Sequence, residues 1–149
     1  MSASRVKIVG IDDLNQKFKA LGKVASGRQL GQAALAGAMQ IETYVKLSMG
    51  EIKSGRMYGE HQASAPGEPP AIDTGALVNS IISELQETTA TSATAAAGTN
   101  MDYGAALEYG TPRVAARPFM RPAIDDHEAQ IVNTVRTVLE TLVMEAVNG

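Results

Sequence analysis

The chain has 149 residues, of which 44% are apolar and 19% charged. This is enough for one sizeable hydrophobic core and too little to require two. The absence of cysteine excludes disulfides and thiolate metal sites. No apolar stretch has the length of a signal peptide or of a membrane span, so a soluble protein made in the cytoplasm, without a membrane partner, is expected.

The net charge of −3 is unevenly divided along the chain. Residues up to Tyr58 include nine Lys or Arg and four Asp or Glu. From Gly59 onward there are four Lys or Arg and twelve Asp or Glu. Two unrelated solvated surfaces would give this pattern. So would head-to-tail association, in which a basic face of one copy meets an acidic face of the next and the contacts close into a ring. Nucleic-acid binding by the basic half is a weaker alternative, because its lysines are dispersed.

The N-terminal third favours helices. Val6–Ile11 is an apolar start typical of an edge strand, and a first helix with apolar residues at helical spacing is expected from about residue 12 to Gly22. A longer helix is predicted over about Arg28–Met49 and ends at Gly50, because apolar residues recur there at intervals of three and four. The small residues around Gly31–Gly37 would let a partner helix or sheet approach closely.

The second half of the chain alternates short elements. A short helix is predicted at Ala76–Ser80, followed by antiparallel strands at Ile81–Thr89 and Ser92–Thr99. Tyr103–Tyr109 is expected to form another short helix, closed by a glycine in the left-handed conformation. A long C-terminal helix then begins at Pro122, since proline is favoured in the first helical turn.

The order of these elements predicts an α+β fold. N-terminal and C-terminal helices would pack on one face of a small antiparallel β-sheet, with residues 1–149 forming a single domain. A long extended loop is expected at about residues 50–72, where periodicity is lost and three glycines and three prolines occur between Glu51 and Ile72. This loop is either a flexible surface segment or an arm that becomes ordered on a neighbouring subunit.

No catalytic or metal-binding pattern is present. His61 and His127 are the only histidines, and neither belongs to an HExxH or HxxxH spacing. A GxSxG nucleophile turn and glycine-rich phosphate loops are also missing. The sequence therefore predicts a protein that is not an enzyme and has no cofactor, with a histidine-dependent hydrolase as a minor alternative.

A proline-rich segment, Thr111–Arg121, is the candidate contact surface. Its prolines disfavour a continuous helix, so its arginines should project in different directions from stiff, extended chain. Arginine suits planar pairing with carboxylates of a neighbour, although solvation or pairing within the subunit is the alternative. Phe119 and Met120 are either core side chains or anchors in a partner's pocket. The candidate interface residues are Tyr109, Thr111, Arg113, Arg117, Phe119, Met120 and Arg121.

Two sequence motifs, taken together, resemble those of a known protein family. The first is APGEPPAIDTGALVNSI at Ala65–Ile81, and the second is YGAALEYGTPRVAARPFMRPA at Tyr103–Ala123. In this order, after a helical region and before a C-terminal helix, they resemble a tail-component family of long-tailed bacteriophages, the neck, head–tail joining or tail-completion proteins. The position after Leu77 is commonly basic in such motifs and is Val78 here, which argues against a phosphate or DNA contact at this point.

The resemblance implies a structural protein of the virion, without catalysis. Such a protein forms a homo-oligomeric ring, six-fold or twelve-fold, at the junction between head and tail. Its implied partners are the adjoining head-completion or connector protein and the tail-terminator or tail-tube protein, with passive contact to genomic DNA in the channel. The alternative is a nucleic-acid-binding accessory protein that acts through the basic N-terminal half.

Overall fold

A 24-residue helix near the start of the chain is the element against which most others pack. The computed structural model describes residues 4–6 and 26–148. In chain order the elements are β1 (Ser4–Val6), α1 (Gly27–Gly50), β2 (Met57–Tyr58), β3 (His61–Gln62), α2 (Ala76–Ser80), β4 (Ile82–Thr88), β5 (Ala93–Gly98), α3 (Gly104–Tyr109), α4 (Arg121–Asp125) and α5 (Glu128–Asn148).

Helix α1 begins with a capping box. The Ser26 hydroxyl accepts a hydrogen bond from the Gln29 amide, and the Gln29 side chain accepts one from the Ser26 amide at 2.7 Å. Each bond satisfies a backbone donor that would lack a partner at a helix start. The helix therefore begins one residue before the predicted Arg28 and, as predicted, reaches Gly50.

The larger sheet has the strand order β1–β5–β4, and both pairings are antiparallel. Small residues bring it close to α1, because Ala34 and Ala38 of the helix pack on Ala95 of β5. At Gly31, an added Cβ would lie only 3.2 Å from a methyl group of Leu85 on β4. The predicted close approach to α1 is confirmed.

The other side of α1 packs on the C-terminal helix. Leu30 and Ala33 form a buried cluster with Val135, Leu139 and Val143 of α5. The same cluster includes the partly buried Ala93 of β5 and so joins the helix pair to the sheet. The predicted α+β class, with helices packed with a small antiparallel sheet, is confirmed.

Most of the remaining core surrounds the second half of α1. Ile41, Val45 and Met49 are buried there together with Ile81 and Phe119. The side chains of Ile41, Val45 and Ile81 have no measurable exposure. This cluster lies under the segments that contain the two sequence motifs.

Three expectations need correction or fall outside the described chain. The C-terminal helix is not continuous from Pro122, because α4 ends at Asp125 and α5 starts at Glu128. The long loop contains a small hairpin, β2–β3, which its polar sequence did not predict. The first predicted helix and most of the predicted strand Val6–Ile11 lie outside the described residues, and only Val6 belongs to β1.

The α1–α5 contact gives a direct test of the core. Leu139→Ala is expected to lower the free energy of unfolding by about 2–5 kcal/mol, because it leaves a cavity at a side chain with no exposure. Met144→Ala, on the same helix at 59% exposure, should change it by less than about 0.5 kcal/mol. Urea denaturation measures the free energy of unfolding of both variants. Equal losses would contradict the packing of Leu139 between α1 and α5.

Candidate assembly interface

The two sequence motifs meet in the structure. The Gly67 amide, in the first motif, donates to the Ala116 carbonyl in the second at 2.9 Å. The Arg117 guanidinium donates to the Ser64 carbonyl, just before the first motif, through Nε at 3.3 Å and Nη2 at 3.2 Å. Residues far apart in the chain thus form a single surface.

A buried carboxylate fixes the path of the second motif. The side chain of Glu108, which is 9% exposed, accepts hydrogen bonds from three consecutive amides. Oε2 lies 2.8 Å from the Phe119 nitrogen and 3.0 Å from that of Met120, while Oε1 lies 2.9 Å from that of Arg121. These amides lead into α4, where a helix start leaves donors without partners. Glu108 therefore caps this turn from a different helix.

Phe119 and Met120 are core side chains. Their exposures are 1% and 5%, and both belong to the cluster around the second half of α1. The reading in which they anchor a partner is therefore wrong for the folded chain. Glu108 binds the backbone amides of Phe119 and Met120, and the side chains of both residues point into the core.

The exposed part of the second motif is a tight turn. We call Tyr109–Val114 the corner. Thr111 and Val114 exchange backbone hydrogen bonds at 2.8 and 3.2 Å, and the Thr111 hydroxyl also accepts from the amides of Arg113 and Val114. Pro112 occupies the turn position that favours proline. The corner is thus held by its own backbone, and it presents Arg113 to solvent.

Gly110 allows the chain to enter the corner. Its φ of +75° lies in the region that L-residues with side chains rarely adopt. An added Cβ would also lie 2.9 Å from the Ala116 nitrogen and 3.1 Å from the Val114 carbonyl oxygen. Tyr109, immediately before it, is left 72% exposed.

The three arginines of the segment have different roles. Arg117 is used inside the chain, where it holds Ser64 and also donates to the Ala115 carbonyl. Arg121 makes a surface ion pair with Asp125 at 3.6 Å, a type of contact worth at most about 1 kcal/mol. In the described part of the chain, no carboxylate pairs with Arg113. Arg113 is therefore the residue that best fits the predicted contact with another subunit.

The long loop is ordered by bonds within the chain. We call residues 51–70 the arm. The Glu68 carboxylate accepts from the Ser54 amide at 3.0 Å, from the Ser54 hydroxyl, and from the Ala65 amide at 2.8 Å. The hairpin β2–β3 turns at Gly59, where φ is +65°. The arm therefore has a defined shape that does not depend on a neighbouring subunit.

The arm exposes apolar side chains at its surface. Ile52 is 96% exposed, Met57 53% and Tyr58 60%. Arg56 lies over the Tyr58 ring, with its guanidinium carbon 5.4 Å from the ring centre. The arm thus has three large apolar side chains that are accessible to another surface.

The base of the arm contains a buried lysine. Lys53 is 7% exposed, and its ammonium donates to the Ser48 carbonyl at 2.6 Å. Burial lowers the pKa of Lys53, and the neighbouring carboxylates of Glu51 and Glu68 offset part of this effect. The lysine joins the arm to the end of α1.

A cleft of about 330 Å³ lies beside the contact between the arm and the second motif. Apolar side chains from α1, α2 and α3 line it, and its polar side chains are those of His61, Ser64, Asp73, Thr74, Tyr103 and Arg117. His127 lies elsewhere: it stacks on Tyr44 at 3.7 Å between ring centres, and its Nδ1 is 3.0 Å from the Ala123 carbonyl oxygen. The structure therefore does not bring the two histidines into one site.

Within residues 4–6 and 26–148, no group of three or more His, Asp or Glu side chains has an arrangement that could hold a metal ion. No helix in the same part of the chain is both long and apolar enough to cross a bilayer.

Comparison with known proteins finds no matching family model, no matching curated protein and no matching solved structure. The resemblance to phage tail components therefore still depends on the two motifs alone. What the structure adds is a physical role for residues within them.

Replacement of Glu108 tests the cap. Glu108→Gln is expected to lower the free energy of unfolding by about 1–3 kcal/mol, because its NH₂ group would face backbone donors and leave buried N–H groups unpaired. Exchange of the amides at residues 119–121 should become faster. Glu140→Gln, at an exposed position of α5, is the matched control; the cap is refuted if both variants unfold at the same urea concentration.

Acidification tests the closure of the arm. Hydrogen bonds from the Ser54 hydroxyl and from the Ala65 and Ser54 amides hold the pKa of Glu68 at about 2, against its ordinary 4.5. A lowered pKa in the folded state stabilises the arm above pH 4.5, and this effect is lost as the pH falls toward 2. NMR shifts of the Ser54 and Ala65 amides should follow this transition.

The control for acidification is Glu68→Gln, which should leave those two amides without the transition. Glu60→Gln, at the exposed tip of the hairpin, should leave the transition unchanged. A midpoint near 4.5, the ordinary value for glutamate, would contradict the closure of the arm by Glu68.

Proposed function

We propose that this chain is a structural subunit of a ring at the head–tail junction of a long-tailed bacteriophage. In the virion it would join the portal-side connector or head-completion protein to the tail terminator or tail tube. The observation that carries this proposal is that the two motifs behind the resemblance build one surface. The first motif closes the arm, the second forms the corner, and Arg117 and Gly67 join them.

The corner has the properties of a preorganised contact. Its backbone is fixed by the Thr111–Val114 hydrogen bonds and by the close approach at Gly110, so little conformational entropy is lost on binding. It exposes Tyr109 and Arg113, and these two residue types are enriched at energetically dominant positions of interfaces.

The arm supplies a second contact surface. Ile52, Met57 and Tyr58 lie on an ordered hairpin and its base, so their apolar area is available without folding of the segment. A ring subunit needs contacts both to its neighbours in the ring and to the proteins above and below. Two distinct exposed surfaces, the corner and the arm, fit this need.

The nucleic-acid alternative takes second place. It requires free basic side chains in the N-terminal half, and two of those are already engaged. Lys46 pairs with Glu42 at 2.7 Å, and Lys53 is buried against Ser48. Lys53 is therefore not available for the phosphate contacts that dominate DNA affinity, whereas Lys46 is held only by a surface ion pair.

Labelled virions of the encoding phage test the proposal. Antibody labelling and image reconstruction should place the chain between the capsid vertex and the tail. Arg113→Glu should leave heads and tails unjoined, because it reverses an exposed charge of the corner. Arg136→Glu, exposed on α5, is the matched control and should leave joining intact.

The proposal fails if the virion lacks this polypeptide between head and tail. Tight binding of duplex DNA at low salt, weakened steeply by added salt, would favour the nucleic-acid alternative.

A further inference from the structure

We propose that the corner of one copy binds strand β4 of the next copy, with Arg113 placed against Glu84 and Glu87. This inference rests on the proposed function, from which it takes the statement that copies of the chain associate. It identifies the two surfaces that meet and the charged residues that lie between them.

Strand β4 is an exposed edge. Among the strands that the structure describes, β5 lies on one side of it and none on the other. Six of its seven residues are exposed, including Ile82 at 53% and Leu85 at 45%. An edge strand with exposed apolar side chains favours association unless something covers it.

A β-bulge places both glutamates of β4 on the same face. Glu84 pairs with Ala96 and Glu87 pairs with Thr94, which is two residues away on β5. Successive residues of a strand alternate between faces, so residues 84 and 87 of a regular strand would point in opposite directions. The extra residue at the bulge restores the same face for both.

This face is the one turned away from α1. Ala95 and Ala97 of β5 pack in the clusters with α1, so Ala96 and Thr94 lie on the other side, together with their partners on β4. Ile82, opposite Gly98, is on the same side. Ala96 itself is only 1% exposed, so the accessible part of this face is β4. It offers one apolar side chain and two carboxylates.

The corner and the adjoining chain are the complement of this surface. Residues 109–121 contain three arginines and no acidic residue, whereas residues 82–88 contain two glutamates and no basic residue. Both surfaces also expose apolar groups, with Tyr109 at 72% and Val114 at 42% on the corner. A guanidinium pairs well with carboxylates in a planar geometry. In the described part of the chain Arg113 makes no ion pair, whereas Arg121 pairs with Asp125 and Arg117 is bound by the carbonyls of Ser64 and Ala115.

Strand β4 runs alongside α1, since Leu85 lies beside Gly31 and the Ser83 hydroxyl donates to Glu42 Oε2 at 2.7 Å. Within the described chain, Arg113 makes no ion pair with Glu84 or Glu87. The proposed contact is therefore one between copies. Two different patches that meet in this way form a head-to-tail interface, which closes into a ring or continues as a filament.

Cross-linking tests the contact directly, because the chain has no cysteine of its own. Val114→Cys chains and Gln86→Cys chains, at exposed positions that keep Arg113, Glu84 and Glu87, are made with tags of different mass, mixed and treated with a short bis-maleimide. Mixed dimers are expected in about tenfold higher yield than from Arg136→Cys chains mixed with Gln86→Cys chains, because only the first pair of cysteines is brought together by the contact. Equal yields in the two mixtures at every protein concentration would overturn the proposal.

Charge reversal gives an independent test. The mass of the wild-type chain measured by light scattering should rise with protein concentration. Arg113→Glu should abolish this rise, and adding Glu84→Lys and Glu87→Lys to the same chain should restore it. If the triple variant remains as dissociated as Arg113→Glu, the pairing is refuted. If mixed cross-links form but labelled virions lack the chain at the head–tail junction, the proposed function fails while this contact stands.

Discussion

The carboxylate of Glu108 determines the course of the chain through the proline-rich segment. Pro112 and Pro118 have no amide hydrogen to donate, and residues 115–120 have no helix or sheet ladder of their own. Three hydrogen bonds to one buried carboxylate take their place. Hydrogen bonds to an ionised acceptor are roughly twice as strong as neutral ones. They fix the backbone at residues 119–121, where the segment enters α4.

Further hydrogen bonds connect the rest of the surface to this segment. Phe119 is buried in the core, and the corner on the other side of Arg117 is exposed. Ala116 and Arg117 bind Gly67 and Ser64, which places the arm against the segment. Glu68 closes the arm on itself through Ser54 and Ala65. The first motif is thus bonded to the second through Gly67 and Ala116, and the second motif is bonded to itself through Glu108.

This network of hydrogen bonds connects the fold to the proposed role in assembly. A ring subunit that must fit its neighbours needs exposed groups in fixed positions, since disorder at a contact has to be removed on binding. The corner meets this need because its side chains are exposed and its backbone is bonded internally. The two glutamates of β4 also have fixed starting points, because the backbone bulge places both of them on the same face of the strand.

The sequence predicted the elements that depend on local pattern. The spacing of apolar residues located α1 to within one residue, and glycine and hydroxyl residues marked the start of α2 at Ala76. The hairpin β2–β3 was missed because each strand has two residues, too few for an alternating pattern. The break between α4 and α5 was missed because Asp126 and His127 carry no helix-ending signal.

The site was predictable in outline only. The prolines and arginines of Thr111–Arg121 were enough to predict a stiff, arginine-rich segment. The capping role of Glu108 was not predicted, because it depends on a contact with residues 11 to 13 positions away. Without that contact, the sequence left open whether Phe119 faced the core or a partner. The phage assignment stays a prediction from the two motifs.

The central claim, that the corner is rigid before any partner binds, is tested by ¹⁵N relaxation of the isolated chain. Backbone order parameters at residues 111–114 should be about 0.85, like those of a rigid helix. Values below about 0.6, typical of a flexible loop, would contradict a preformed contact surface.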